Sequence, residues 1–366
     1  MNIIGIKEIP GIDQDVLDYM NAKKHEKVVF CSDKSTNLQA IIAIHNTNLG
    51  PALGGTRMWQ YKDISEATKD VLRLSRGMTY KAAITGLNLG GGKAVIIGDS
   101  TKKTKEMMIS FGKFVESQMG KYITAEDVGM TTDDMEVIYQ ETNHVVGKPI
   151  ELGGSGDPSV ITAYGTLMGI KGSAYYKWGN DSLRNKKILV QGIGNVGQNL
   201  IKLLKNEGAI ILINDVNEEK IQNTVEKHDV EVIKNNIYNA DIDIYAPCAL
   251  GGTLNDETIP QLKCSIVAGA ANNQLAKENI HDEMLANRNI LYAPDFLINA
   301  GGLINVYSEI NGYDKINALK QTEEIYNTTL KILAKSESES ITTHSAALKI
   351  AKERISKKRS YNNNVK

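Results

Sequence analysis

Residues 86–98 read GLNLGGGKAVIIG, three consecutive glycines ahead of Lys93 with Ala, Val and Ile behind it. Glycine followed by lysine suggests a phosphate loop, but the P-loop needs G-x-x-x-x-G-K-[ST], with a hydroxyl to reach Mg²⁺. Leu87 stands where its first glycine belongs and Ala94 follows the lysine, so the motif fails twice. A second lysine, Lys81, ends a periodic stretch, and Glu126-Asp127-Val128-Gly129 closes a short apolar run. A lysine removed from water has its charged form disfavoured, which makes it a usable base. One lysine kept charged can bind a carboxylate while the other takes and returns protons. Lys93, among Gly90, Gly91, Gly92 and AVII, suits the second task, and the glycines are expected to leave room for a small substrate. Asp127 can shuttle protons to and from a leaving amine.

A second constellation lies in KKILVQGIGNVGQNLIKLLKNEGAIILINDVN. Gly192, Gly194 and Gly197 spell G-x-G-x-x-G around Asn195 and Val196. The motif follows a strand, opens an apolar helix, and is followed by an acidic residue, Asp215, at the end of the next strand. Those are the contextual conditions of a dinucleotide fold, in which glycines permit the turn and pyrophosphate meets the helix N-terminus. Asp215 is expected to accept from the adenosine ribose and repel a 2′-phosphate, favouring NAD over NADP. Ligands gather at the carboxyl ends of parallel strands. The turns ending DIDIYAPCA, CSIVAGAANN and NILYAPDFLINAGG should therefore line the nicotinamide half, with Asn273 and Asn299 as contacts.

Other chemistries lack support. The six histidines never pair at ligand spacing and no Cys-x-x-Cys or G-x-S-x-G occurs. The acids of TTDDMEV suit a helix start better than a metal. A net charge of −1 supplies no attraction to nucleic acid or an anionic membrane. Cys31, Cys248 and Cys264 are far apart and read as small buried hydrophobes of a reducing compartment. The N-terminus does not read as a secretion signal, and no apolar run approaches the ~20 residues of a membrane span, so a cytoplasmic protein is expected.

The elements that must position these residues follow from periodicity. KVVFCSD and AIIAIHN read as paired strands. Asp63 and Glu66 give a D-x-x-E capping signal, and Ile64, Ala67, Val71, Leu74 and Met78 recur at helical spacing. One further step lands on Lys81, which is therefore expected on the buried face. AVIIG reads as a strand, 104–119 as a helix, and KYITA as another strand. GGSGDPS at 153–159 marks the domain junction, with a helix from Pro158 to about Lys177. Beyond 315 the chain turns helical and charged, and KKRSYNNNVK reads as a frayed, solvated terminus. The expectation is an α/β fold of two domains. Residues 1–146 form an α/β substrate domain to which helices of 331–366 return, and 147–330 form a Rossmann-type, doubly wound NAD-binding domain.

LGPALGGTRM, LSRGMTYKAA, GLNLGGGKAV, YITAEDVGM, VQGIGNVG, YAPCALGGTLND, AGAANNQL and INAGGLINV together resemble the amino-acid dehydrogenases acting on glutamate, leucine, phenylalanine and valine. The resemblance runs from roughly 15 to 355 and is nearest to the leucine-oxidising branch. It implies that Lys81 of GMTYK binds the substrate carboxylate, and that Lys93 of GGGK is the base that activates water. It further implies that Asp127 of AEDVG assists proton transfer to the amine, and that Asn273 contacts substrate and nicotinamide. Leu53, Gly54, Gly55, Met78, Leu303 and Val306 would wall the side-chain pocket. Thr162 would touch the nicotinamide amide, and Cys248 and Ala249 would lie along the cofactor. The implied reaction is NAD-dependent, reversible deamination of leucine and other branched-chain L-amino acids to 2-oxo acids and ammonia. Domain closure would exclude water, and the assembly would be a homo-oligomer, an octamer by resemblance. Leu303 stands where valine is frequent and Met130 where threonine often follows, so a valine or phenylalanine enzyme is the alternative. From a different class, a catalytically silent NAD-binding sensor is the rival, although Lys81, Lys93 and Asp127 are all present.

Overall fold

The computed structural model describes residues 1–5 and 12–363, with side chains up to 357. Contacts divide the chain into two units. One comprises Met1–Gly156, Val306–Asp314 and Ala351–Lys366; the other comprises Asp157–Asn305 and Lys315–Ile350. Among the described residues no helix is long and apolar enough to cross a membrane.

The first unit is built on a mixed sheet of β1 (Asn2–Gly5), β2 (Lys27–Asp33), β3 (Leu38–Asn46), β4 (Ala52–Trp59), β5 (Gly90–Ile97) and β6 (Tyr122–Glu126). Its order is β1-β2-β3-β5-β4-β6, antiparallel from β1 to β5 and parallel across β5, β4 and β6. Alternation sends the strand residues to two separate cores. Val28, Ile41, Ala43 and Val95 pack with Val16, Ala67, Val71 and Leu72 of the helices Gln14–Ala22 and Ile64–Ile84. Ala40, Ile42, Ala94 and Ile96 pack with Phe111, Phe114, Met135 and Ile138 of Lys105–Glu116 and Thr132–Tyr139. The helices Ile64–Ile84 and Thr132–Tyr139 are capped as their sequences specify. Asp63 accepts from the Glu66 N–H at 2.8 Å, and Thr131 with Asp134 forms a reciprocal capping box.

Two expectations are corrected in this unit. The strand expected over AVIIG begins earlier, at Gly90; the three glycines are the first residues of β5, and Lys93 sits in mid-strand. Lys81 is not on the buried face of its helix. The face that is buried carries Ala67, Val71, Leu72, Ser75, Thr79 and Ala82, while Leu74, Met78 and Lys81 flank it half-exposed. The reason is that β5 has no side chains at its start, so small polar residues fill the centre of the contact. A Cβ on Gly91 would collide with the Thr79 backbone and hydroxyl. A hydrophobic stripe cannot register a face made of Ser and Thr against Gly.

The second unit contains β7 (Lys187–Gln191), β8 (Ile210–Asn214), β9 (Glu231–Val232), β10 (Ile244–Pro247), β11 (Ile266–Val267) and β12 (Leu291–Tyr292). All are parallel, in the order β12-β11-β10-β7-β8-β9. Read from β9, the strands run third, second, first, fourth, fifth, sixth, which is the doubly wound dinucleotide fold with its switch point between β7 and β10.

The unit boundaries differ from the expected 1–146, 147–330 and 331–366. The helix Lys315–Glu339 stays with the second unit throughout, because Thr322 and Ile325 press where Gly165 lacks a side chain and Thr329 presses on Gly172 of Ser159–Trp178. Thr343 then donates to the Tyr292 carbonyl at 2.7 Å, so the return to the first unit begins only at Ala351. In the other direction, residues 147–156 and 306–314 belong to the first unit. The buried Glu309 carboxylate accepts from the Gly147 N–H at 3.0 Å, the Ser155 N–H at 2.9 Å and the Ser155 hydroxyl at 2.5 Å. The helix Thr343–Asn363 covers most of the expected frayed tail, whose side chains from 358 onward lie outside the described residues.

Candidate active site

On the face of the first sheet covered by the helix Ile64–Ile84, Leu53, Gly55 and Arg57 of β4 lie level with Gly91, Lys93 and Val95 of β5. Lys93 is 6 % exposed, and its ammonium is paired with Asp127, the residue that follows β6. The two come from strands on opposite sides of β4, and the glycines of β4 let them meet. A Cβ on Gly54 would collide with the Gly92 carbonyl. One on Gly55 would lie 2.5 Å from the Glu126 carbonyl oxygen and 3.0 Å from Asp127 Cβ. On the opposite face, a Cβ on Gly92 would sit 2.7 Å from the Tyr122 ring, whose hydroxyl donates to the Gly54 carbonyl at 2.6 Å. The glycines therefore bring protein to protein. They draw three strands and a helix around one lysine, and the places their missing side chains would take are held by backbone and side chains.

Burial alone would raise the Asp127 pKa, but the Lys93 ammonium and then the Arg57 guanidinium outweigh it and hold the carboxyl below its usual range. Asp127 is thus an ionised carboxylate shared by two cations. Arg57 was not among the residues singled out from sequence. The available signal was its place in LGGTRMW, a charge at strand spacing from Leu53 and Gly55 on a face that must be buried. Met130, flagged as a departure, is a buried member of the opposite core.

Lys81 and Met78 project from the helix that covers this face. The helix end is held from far along the chain. The Arg354 guanidinium donates to the carbonyls of Leu87 at 2.6 Å, Gly86 at 2.8 Å and Ala83 at 3.3 Å. Last-turn carbonyls have no intrahelical donor, and a cation there also matches the helix dipole. The final helix thereby fixes the turn that bears Lys81. Val306 opens the segment 306–314 of this unit and is half-buried.

In the second unit the three fingerprint glycines do three different things. Gly192 has φ +93°, and a Cβ there would sit 2.6 Å from Ala249 Cβ. A Cβ on Gly197 would strike the Gly192 carbonyl, which is how the helix packs close to β7. Gly194 is the N-cap of Asn195–Asn206, makes no side-chain cap, and a Cβ on it would meet nothing within 4 Å. The N–H groups of Asn195, Val196 and Gly197 thus open the helix with only a glycine at their cap, the arrangement that receives an anion. Asp215 accepts from the Ile193 N–H at 2.8 Å and from the Asn217 N–H at 2.9 Å, which ties the glycine turn to the end of β8. The Cys248 N–H donates to the Gln191 carbonyl at 2.7 Å, placing Cys248 and Ala249 beside that turn, and burial pushes the Cys248 thiol up to about 11.

After β11, Asn273 is exposed with φ +52°, a conformation asparagine tolerates. Asn299 is 6 % exposed and donates to Asn272 Oδ1 at 2.8 Å, yet its own Oδ1 is buried with no partner. Leaving a buried acceptor without a donor costs about 1–3 kcal/mol, so the site is shaped for a donor that the chain does not provide. Thr162 lies against Gly302, next to the buried Leu303, where a Cβ on Gly302 would be 3.0 Å from the Thr162 hydroxyl. An open glycine cradle, an uncapped helix start and an orphaned amide oxygen at the carboxyl ends of parallel strands fit a dinucleotide.

A doubly wound unit of this kind, joined to a mixed-sheet unit in which a buried lysine pairs with a carboxylate, is the architecture of an amino-acid dehydrogenase. The model of the Glu/Leu/Phe/Val dehydrogenase dimerisation domain matches residues 25–144, and that of glutamate/leucine/phenylalanine/valine dehydrogenase matches 153–217 and 210–363. A leucine dehydrogenase of Bacillus cereus is 50% identical over 343 residues, 93% of each chain. A valine dehydrogenase of Streptomyces virginiae is 46% identical over 340 residues, 91% of this chain and 94% of its own. The crystal structure of L-tryptophan dehydrogenase from Nostoc punctiforme superposes with a TM-score of 0.84 at 45% identity, covering 94% of this chain and 99% of that one. The chain belongs to the Glu/Leu/Phe/Val dehydrogenase family.

Proposed function

We propose that the protein catalyses the reversible, NAD-linked oxidative deamination of L-leucine and related branched-chain amino acids. Amino acid, NAD⁺ and water become 2-oxo acid, ammonium, NADH and a proton. The carrying observation is the pairing of buried Lys93 with half-buried Asp127 across Gly54 and Gly55. The 50% identity to leucine dehydrogenase supports the choice of substrate. Lys81 holds the substrate carboxylate as a charged anchor. Lys93 takes a proton from water as it attacks the imine carbon and returns it later. Asp127 carries protons to and from the departing amine. Leu53, Met78, Leu303 and Val306 meet the substrate side chain, and Asn273 its amino-acid end. Gly194, Asn195, Val196 and Gly197 receive the pyrophosphate, Asp215 the ribose hydroxyls, and Thr162, Cys248, Ala249 and Asn299 flank the nicotinamide. When bound, the nicotinamide supplies the acceptor for the hydride leaving the α-carbon. The chain's contribution is orientation, burial and proton handling. The preference for NAD, a homo-oligomeric assembly and a cytoplasmic location are parts of the same proposal.

The test is NADH formation at alkaline pH with leucine, isoleucine, valine, phenylalanine, tryptophan and glutamate offered separately, with NAD and then NADP. Turnover is expected chiefly for the aliphatic set with NAD. One methylene is worth only about 1–3 kcal/mol of discrimination, so the order within that set is read from kcat/KM. If none is oxidised while NADH still binds, the silent-sensor reading replaces this one.

A further inference from the structure

Arg57 stands beside the proposed proton-handling pair without belonging to it. Its Nε donates to Asp127 Oδ2 at 3.3 Å, the same oxygen that pairs with Lys93. Its Nη1 donates in the other direction to Asp70 Oδ2 at 3.0 Å. That oxygen also accepts from the Tyr61 hydroxyl at 2.8 Å, while Asp70 Oδ1 takes Arg73 at 3.2 Å. The guanidinium therefore bridges a carboxylate at the end of β6 to one on the helix Ile64–Ile84. Its side chain is 24% exposed, and that of Asp70 15%. The groups around Asp127 are Lys93 from β5, Arg57 from β4 and the Val128 N–H, with Asp70 and Arg73 one step beyond the arginine.

We infer that Arg57 is the positioning residue of this site, the fixed counter-ion that keeps Asp127 in place and ionised when Lys93 has given up its charge. This rests on the proton-transfer reading above. To act as a base Lys93 must first stand as a neutral amine, and in that state Asp127 has lost its first cation. A half-buried carboxylate left with no cation is far more easily protonated. It could then neither accept from the amine nor hold its orientation. A guanidinium remains charged throughout the usable pH range. Its rigid fork, braced on Asp70 and Tyr61, holds Oδ2 in both halves of the cycle. A lysine at 57 would carry the charge but could not span both carboxylates.

The inference is tested on the full chain by carboxyl-carbon NMR of Asp127, assigned with Asp127→Asn and measured without substrate. In Lys93→Met, where Arg57 is the remaining cation, Asp127 is expected to stay ionised down to the ordinary aspartate range. In Arg57→Gln the titration is expected to move up by about one pH unit or more. The acidic limb of kcat/KM for leucine should move the same way, a roughly tenfold loss below the limb that is regained above it. Arg57→Lys should restore the limb while leaving kcat reduced. An Asp127 that titrates near neutrality in Lys93→Met overturns the assignment. So does an Arg57→Gln enzyme that loses activity equally at every pH with its carboxyl titration unmoved. If the NMR shifts appear but the wild-type protein oxidises no amino acid, the positioning role stands and the functional reading fails. Should Arg57→Gln not fold, the Lys93→Met titration decides alone.

Discussion

Gly194→Ala separates a glycine that serves a ligand from those that serve the fold. Its backbone (φ −69°, ψ −168°) is one that alanine adopts without strain, and the added methyl would meet no protein atom within 4 Å. Replacing glycine at such a position stabilises by about 0.4–1 kcal/mol, through the unfolded chain. Folding should therefore be unharmed or slightly improved. Binding should not be. An oxygen must come to about 2.9 Å of the Asn195, Val196 and Gly197 N–H groups to bond them, and a methyl at the helix cap occupies that approach. Overpacking of this kind costs about 1–3 kcal/mol, which is roughly a five- to 150-fold loss of affinity. NADH fluorescence titration and thermal melting of the same sample read both quantities. Gly197→Ala is the contrast, because its methyl strikes the Gly192 carbonyl and should reduce folded yield. A Gly194→Ala protein that melts as wild type and binds NADH within about twofold would refute the placement of the pyrophosphate.

Other outcomes follow from the first unit. Lys93→Ala should abolish leucine oxidation while leaving NADH affinity nearly unchanged, so retained kcat would remove Lys93 from the base role. Arg354→Met deletes the donors to Leu87, Gly86 and Ala83. Charge-assisted bonds are worth about 1.5–3 kcal/mol each when well buried, and discounting for a half-exposed residue leaves a cost of about 2–3 kcal/mol. Faster amide exchange over residues 79–89 and a raised KM for leucine are expected, and unchanged exchange would show that the cap is dispensable. His45 is buried, with one ring nitrogen 2.8 Å from the Thr79 hydroxyl and the other 3.1 Å from the Lys23 carbonyl. Burial first, then the neighbouring His25, pushes its pKa down to about 4. The unfolded chain therefore binds the extra proton, and the stability this histidine contributes is complete above its ordinary 6.5 and lost as pH falls toward 4. At about 1.4 kcal/mol per unit that is about 3 kcal/mol. Urea midpoints across this window should fall in wild type and flatten in His45→Gln; parallel slopes would assign the acid sensitivity elsewhere.

Features specified by neighbours in sequence were legible without coordinates. The glycine fingerprint, its following helix and Asp215 are local, since a turn, a helix start and the next strand lie within a few residues of one another. The Asp63 and Thr131 caps are local for the same reason, being bonds to the third residue ahead. Residues 81, 93 and 127 were identifiable by type and by adjacency to glycine. What glycine was there for was not. The sequence suggested empty room, but the glycines at 54, 55, 90, 91 and 92 admit backbone, Thr79 and the Tyr122 ring.

That difference marks the division. Chain-local chemistry determined which helices and strands form, how they are capped, and that one half carries a dinucleotide turn. Tertiary structure decided that β4 runs between β5 and β6, so that Lys93 and Asp127 meet across the two glycines of that strand. It also decided that Arg57 shares their oxygen, that Ser75 and Thr79 take the buried face from the second half of the apolar stripe, and that the last helix returns at Ala351 to cap the turn bearing Lys81. Each of these depends on which atoms lie opposite an absent side chain, and strand order and register, not neighbouring residues, set that.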